Sequence, residues 1–143
     1  MGKKEIDDRF KKFGTVSFTA TTRVNDFITN LESGKVTGTQ CNGCGIKFFP
    51  PRADCHKCLT TDMTWFDVDG NGKLITYSTL KYGPQGFEGD LPYSIAVLDY
   101  GDYKVFGRIA DGIDVDELKI GMEMTAAVNT LPNGQLNYVF KKA

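Results

Sequence analysis

Catalytic apparatus is the first thing this sequence lacks. Its single histidine, His56, sits between two cysteines, so no Ser-His-Asp or Cys-His nucleophile set can be assembled. A glycine-rich phosphate loop ending in Gly-Lys-Ser/Thr is missing, as is a complete Rossmann glycine fingerprint. No apolar run approaches the roughly 20 residues of a membrane-spanning helix. The opening Lys3, Lys4 and Glu5, followed by Asp7 and Asp8, is not the start of a signal peptide. A cytoplasmic protein is expected, in a compartment where thiols stay reduced. An excess of one charge is also absent: 17 basic side chains face 18 acidic ones. The halves differ, with ten Lys/Arg against six Asp/Glu in residues 1–60 and seven against twelve thereafter, +4 and −5.

What is present is a complete set of four cysteines in two C-x-x-C pairs, Cys41-Asn-Gly-Cys44 and Cys55-His-Lys-Cys58. Each pair can form a knuckle whose thiolates point the same way, and two facing knuckles supply the tetrahedral four-sulfur cage that zinc prefers. Gly45 lets the chain turn back after the first knuckle. Two disulfides, an iron site or a redox dithiol share this spacing, and a structural zinc ribbon is the favoured reading. A four-thiolate site has no open position for water or substrate, so the metal folds the ribbon and performs no chemistry. His56, inside the second knuckle, is either a ligand in place of a cysteine or, as the four better-spaced thiolates favour, a surface residue. Zinc with four thiolates adds about −2 to the ribbon, leaving no part of the chain with the dense positive surface of a nucleic-acid binder.

Upstream, Ile6, Phe10 and Phe13 fall at i, i+4 and i+7, the spacing of a short amphipathic helix ending at Gly14. Thr15 to Thr19 fits a brief strand or a loop. A second helix is expected over 23–33, with Val24, Phe27, Ile28 and Leu31 on one stripe, Thr22 as N-cap and Gly34 as stop. Two such stripes exceed what a small ribbon can cover, so they pack either on the rest of the chain or on a partner. Between the knuckles, Phe48 and Phe49 are positioned to cover the cage, Pro50 and Pro51 stiffen the link, and Arg52 is free to meet a carboxylate or a phosphate.

Strands follow: Met63 to Val68, Lys73 to Tyr82, Tyr93 to Tyr100, Tyr103 to Ala110, Met122 to Asn129 and Gln135 to Lys141. Turn residues at 69–72, 101–102 and 132–134 join most of them as antiparallel neighbours. The five strands from Lys73 onward fit a small barrel. Residues 111–121 form its one long connection after the third of these strands, where an OB-fold inserts its covering element; an SH3-like barrel leaves a similar trace. In the loop from Gly83 to Pro92, Phe87 is either an anchor or lid for a ligand or a side chain folded back on the barrel. The expected fold is mainly β: an N-terminal helical segment (1–34), a rubredoxin-like zinc ribbon (35–66) and a C-terminal five-stranded OB-fold barrel (67–143).

Several motifs occur together and in order: Leu31-Glu-Ser-Gly34, Cys41-x-x-Cys44-Gly45, Phe49-Pro-Pro-Arg52, Cys55-x-x-Cys58, Trp65, Gly70-x-Gly72-x-Leu74, Pro92-Tyr93-x-Ile95-Ala96-Val97 and Leu118-x-Ile120-Gly121-Met122. In this order they resemble the zinc-ribbon/OB-fold family, long labelled a domain of unknown function, that accompanies thiolases and related acyl-CoA enzymes. The resemblance implies a non-catalytic accessory subunit with structural zinc, whose helices and ribbon dock on a thiolase-like enzyme that carries the catalytic cysteine. A bacterial degradative complex such as a benzoylsuccinyl-CoA thiolase is the implied setting. The barrel would then lie near the acyl-CoA entrance, and the charge split assigns any contact with CoA phosphates to the basic half, with Arg52 and Lys47 as candidates. The alternative is a nucleic-acid-binding ribbon/OB module, for which the −5 barrel is a poor platform.

Overall fold

The computed structural model describes residues 6–17 and 22–143. The segment from Thr15 to Thr19, expected as a brief strand or a loop, falls partly outside these. The segment around Phe10 is a 3-10 turn, Arg9–Lys12, with no side-chain cap at Asp8. So short a segment cannot offset the cost of nucleating an α-helix, and aromatic packing anchors it instead. Phe10 and Phe13 lie 6.1 and 5.7 Å from Phe27, while Ile6 stays exposed.

The only α-helix among the described residues, α1 (Asp26–Glu32), starts three residues later than its sequence pattern suggests. The Thr22 hydroxyl accepts from the Val24 N–H, and the Asn25 amide donates to the Thr22 carbonyl. These local bonds hold a turn where the first helical turn was expected. The apolar stripe survives, with Phe27, Ile28 and Leu31 all fully buried.

The ribbon is a three-stranded antiparallel sheet of β1 (Thr37–Cys41), β2 (Lys47–Phe48) and β3 (Met63–Asp67), with β1 central. Pairing runs from Thr37 opposite Asp67 to Cys41 opposite Met63, so β3 completes the ribbon before the chain turns into the barrel. The barrel comprises β4 (Asn71–Leu80), β5 (Tyr93–Asp99), β6 (Lys104–Ile109), β7 (Glu123–Thr130) and β8 (Leu136–Lys142). It closes in the order β4-β5-β6-β8-β7, with β6 and β8 parallel and the other neighbours antiparallel. That closure is the OB-fold's Greek key. The 111–121 connection carries a 3-10 turn, Val115–Glu117, capped by the Asp114 side chain, and buries Leu118.

The larger of two buried clusters joins the helix to the barrel. Leu74, Leu98, Val105, Met124 and Phe140 fill the barrel, and Phe27, Ile28, Leu31, Val36 and Val68 belong to the same cluster. On β8 the successive residues Val139 and Phe140 are both buried. Because successive side chains on a strand point to opposite faces, both faces of β8 are covered: one by the barrel interior and the other by α1, which packs on it. The stripe of α1 is therefore covered by this chain's own barrel. The hub of the junction is Tyr138. Its ring meets Phe13, Phe27 and Phe49 at 6.2, 6.3 and 5.3 Å, and its hydroxyl donates to the Phe106 carbonyl at 2.6 Å. Gly107 makes room for it, since a Cβ there would stand 2.7 Å from the Tyr138 ring.

Candidate metal centre and the cavity beside it

The two knuckles are built alike. In the first, the Gly45 N–H donates to the Cys41 carbonyl and the Cys41 N–H to the Ile46 carbonyl, both at 2.9 Å. In the second, the Leu59 N–H donates to the Cys55 carbonyl and the Cys55 N–H to the Thr60 carbonyl, both at 3.0 Å. Each reverses through a residue at positive φ, Gly45 at 81° and Leu59 at 61°. The hairpins bring all four Sγ atoms within 4.8 Å of one another. Cys41 and Cys58 approach to 3.3 Å, Cys44 and Cys55 to 3.5 Å. Four sulfurs at about 2.3 Å from a tetrahedral zinc stand about 3.8 Å apart, so this cluster fits the ion after a small relaxation.

Backbone donors prepare the thiolates. The N–H groups of Cys44 and Gly43 point at the Cys41 sulfur, at 3.4 and 3.3 Å, and Lys57 N–H points at Cys55 at 3.4 Å. The Cys44 N–H, helped by the Cys58 thiol, lowers Cys41 to about 6. Cys58 takes the opposite course: the Thr60 backbone favours its thiolate, but the Cys41 sulfur and burial push it up to about 11. Such a split is what four crowded thiols show without a cation, and a divalent ion reverses it by favouring all four thiolates. Cys41 and Cys55 are buried, and Cys44 and Cys58 face outward.

The two phenylalanines expected to cover the cage divide the work. Phe48 packs beside Cys41 and Cys55 with Ile46 and Met63, whereas Phe49 turns to the barrel junction, 6.3 Å from Phe27. His56 is exposed, its ring edge-on to Phe48 at 5.5 Å.

The sequence candidates for phosphate contact are placed differently. Thr39 pins Arg52, accepting from its N–H and donating to its carbonyl, each at 2.8 Å. The Arg52 guanidinium lies 5.4 Å from the Phe48 ring, with a long contact of 3.4 Å to Asp54. It lines a cavity of about 620 Å³ together with Arg23, Val24, Asp54, Met63 and Trp65. Sequence reasoning missed Arg23 and gave Trp65 only a motif role; no periodicity marks either as a neighbour of Arg52. Lys47 is not part of this lining. Its ammonium pairs with Asp102 at 3.0 Å and sits over the rings of Phe66 and Tyr103, at 5.3 and 5.5 Å. It bridges ribbon and barrel. Phe87 is half-buried, its ring 6.3 Å from Tyr93, at a second, apolar cavity of about 350 Å³ lined also by Phe13, Val16, Phe106 and Tyr138.

A closed four-thiolate ribbon fused to a five-stranded barrel defines a zinc-ribbon/OB-fold protein whose metal is structural. Residues 31–64 match the family model described as the rubredoxin-like zinc ribbon domain of ChsH2, and residues 65–129 match that of its C-terminal OB-fold domain. The chain belongs to the DUF35 family of scaffold proteins. A DUF35 domain-containing scaffold protein from Methanocaldococcus jannaschii is 31% identical over 110 residues, covering 73% of this chain and 77% of the relative. One from Pyrococcus furiosus is 30% identical over 93 residues, covering 65% and 68%. Among solved structures, a chain of the Ltp2-ChsH2(DUF35) aldolase superposes with a TM-score of 0.70 at 22% identity, covering 87% of this chain and 98% of that one. Their likeness is one of fold. No helix among the described residues is long and apolar enough to cross a membrane.

Proposed function

We propose that this chain is the non-catalytic, zinc-bearing subunit of a thiolase-like acyl-CoA enzyme, and that it acts by holding ribbon, helix and barrel in fixed relation for a partner that carries the catalytic cysteine. The observation that carries the reading is the closed metal centre: all four thiols converge on one site, leaving no cysteine free as a nucleophile and no open metal position. Relatives named as scaffold proteins support it, as does a fold shared with the ChsH2 component of a two-part aldolase. A reducing, cytoplasmic setting suits four thiols kept for zinc. A bacterial degradative complex acting on an aromatic CoA thioester, such as benzoylsuccinyl-CoA, is the pathway assignment.

Contact with the CoA phosphates is assigned to the basic first half. Arg52 is the stronger candidate, because its backbone is pinned and its guanidinium borders a cavity with Arg23. Planar guanidinium groups recognise phosphate oxygens in pairs. Lys47 reaches a phosphate only by leaving Asp102 and its two rings.

Purification from the native host tests the assignment. The expected result is a stable complex with a thiolase-like subunit that has its own reactive cysteine. Recovery of the chain alone, inert when mixed with thiolases, overturns it. Within the complex, Arg52→Ala is expected to weaken CoA binding about tenfold, the loss typical of one charge-assisted phosphate contact. Unchanged affinity after both Arg52→Ala and Lys47→Ala removes the phosphate assignment alone.

A further inference from the structure

The cavity of about 350 Å³ beside Phe87 shares no residue with the one that Arg52 borders. Its floor follows from strand register. Ile95 pairs with Arg108 across β5 and β6, and Arg108 with Val139 across β6 and β8. Side chains two apart on a strand share a face, so Tyr93, Ile95, Phe106, Arg108 and Asn137 project from one side, opposite to the barrel core residues Ala96, Leu98 and Val105. On that side Phe106 is 51% exposed. Phe87 from the 83–92 loop and Val16 from the N-terminal segment wall the cavity. Gly86 lets the two walls meet, since a Cβ there would collide with the Val16 side chain.

Two polar side chains interrupt this apolar lining, and both have donors to spare. Asn137 is only 9% exposed. Its carboxamide oxygen accepts from the Asn129 amide at 2.9 Å, while its own NH2 has no acceptor among the described residues. A buried donor left unmatched costs about 1–3 kcal/mol, so an acceptor placed in the cavity is rewarded. Arg108, its side chain 17% exposed, gives one hydrogen bond to Asp90 at 3.1 Å and stacks 4.2 Å from the Tyr93 ring, leaving its other N–H groups unused. Because Asp90 already matches the charge of Arg108, the lining offers no net charge to an anion. Its spare donors suit a neutral oxygen instead. Phe87, Tyr93 and Phe106 supply ring faces and edges that favour another ring.

We infer that this cavity is a binding site for a small, uncharged aromatic molecule that bears a carbonyl oxygen, with Asn137 donating to the oxygen and Phe87 and Phe106 contacting the ring. Its volume lies within the range of small-molecule sites. The inference goes beyond the function proposed above and does not depend on it.

The experiment titrates the zinc-loaded full chain with acetophenone, ethylbenzene and benzoate, which share a ring but carry a neutral carbonyl, no oxygen and a charged carboxylate. Proton–nitrogen NMR spectra follow the Asn137 side-chain NH2 and the backbone amides of Phe87 and Phe106. The expected result is saturable shifts of all three signals with acetophenone, at a dissociation constant on the order of a millimolar for so small a probe. Ethylbenzene and benzoate are expected to bind about fivefold more weakly, the loss of one neutral hydrogen bond. Asn137→Leu is expected to erase the difference between acetophenone and ethylbenzene, and Phe106→Ala, at an exposed position, to weaken both about tenfold. Thermal midpoint and zinc content show whether each variant is folded; if Asn137→Leu is not, the three probes on the parent and Phe106→Ala decide. Equal affinity of the parent for acetophenone and ethylbenzene overturns the inference, as does tightest binding of benzoate, which makes Arg108 an anion site. Acetophenone shifts that do not saturate, or that centre on Trp65 in the other cavity, overturn it as well. If these signals move only when a partner protein is added, the occupant is a protein segment and the inference falls.

Discussion

Three buried residues, two of them cysteines that fit zinc, form the ribbon's own core, whereas thirteen buried residues from α1 through all five barrel strands form the other. A sheet of short strands with so little apolar burial cannot offset its own chain entropy. The ribbon therefore relies on four metal–sulfur bonds, and the barrel on ordinary packing. For structural zinc the binding free energy is folding free energy. This division gives the ribbon a shape that does not depend on a large core, and it leaves Arg52 exposed at the ribbon surface.

Zinc removal is the strongest way to break the comparison. Structural zinc supplies on the order of 10 kcal/mol at neutral pH in zinc-finger peptides, more than the whole stability of many domains. A strong chelator is expected to abolish amide protection in residues 37–67 while leaving β5 and β6 protected, as read by hydrogen exchange. Concerted loss of protection in both halves defeats the division, because it makes the ribbon part of the barrel's folding unit.

Next in size is a deletion at the junction. Phe27 is 2% exposed and touches Phe10, Phe13, Phe49 and Tyr138. Phe27→Ala is expected to cost about 3–5 kcal/mol in urea unfolding without changing zinc content. A much smaller loss detaches α1 from the barrel core. Smaller again is the bridge made by Lys47. Lys47→Met keeps the apolar stem and removes the charge from the Phe66 and Tyr103 rings, for an expected loss of about 0.5–1 kcal/mol. The Asp102 carboxyl, held below its usual range by the Lys47 hydrogen bond, returns toward its ordinary value, which a proton titration of that side chain detects.

Legibility in the sequence followed the range of the interactions. The metal site reads directly because C-x-x-C spacing is a local constraint. Each barrel strand lies within two residues of its expected bounds because alternation and turn residues are local as well. The fate of α1 was not legible: the stripe of Phe27, Ile28 and Leu31 announces burial, but only the tertiary closure of β8 beneath it says against what. The 3-10 turn at Arg9–Lys12 escaped because two aromatics spaced for a helix dock equally well from a shorter turn once Phe27 receives them. At the candidate site, Arg52 was legible as an arginine on a stiff loop. Its neighbours Arg23 and Trp65 were not, since they arrive from before α1 and from β3. The positive φ of Leu59 was not read, although alignment of the two C-x-x-C pairs puts it where Gly45 stands in the first, because a leucine does not itself announce that conformation.

The smallest expected effect sharpens the barrel side of the comparison. Asp90, in the 3-10 turn Glu88–Asp90, accepts a hydrogen bond from the Thr15 hydroxyl and pairs with Arg108 at 3.1 Å. It thereby ties the 83–92 loop, the N-terminal segment and β6 together, while Arg108 stacks 4.2 Å from the Tyr93 ring. The Thr15 hydroxyl, with Arg108, holds the Asp90 carboxyl below its ordinary value despite partial burial. A depressed carboxylate contributes stability that is fully present above its unfolded pKa of about 3.9 and is lost as pH falls through the lower folded value. Urea midpoints are therefore expected to be flat above about pH 5 and to decline below about pH 4. Asp90→Asn is expected to cost about 0.3 kcal/mol at pH 7, within the range for a partly exposed pair, and to make that decline shallower. Zinc content should not change at pH 7, because none of the three tied segments touches the ribbon cage. If the decline is equally steep in Asp90→Asn, the acid sensitivity resides in other carboxylates, and the loop is held by packing of Phe87 and Tyr93 alone.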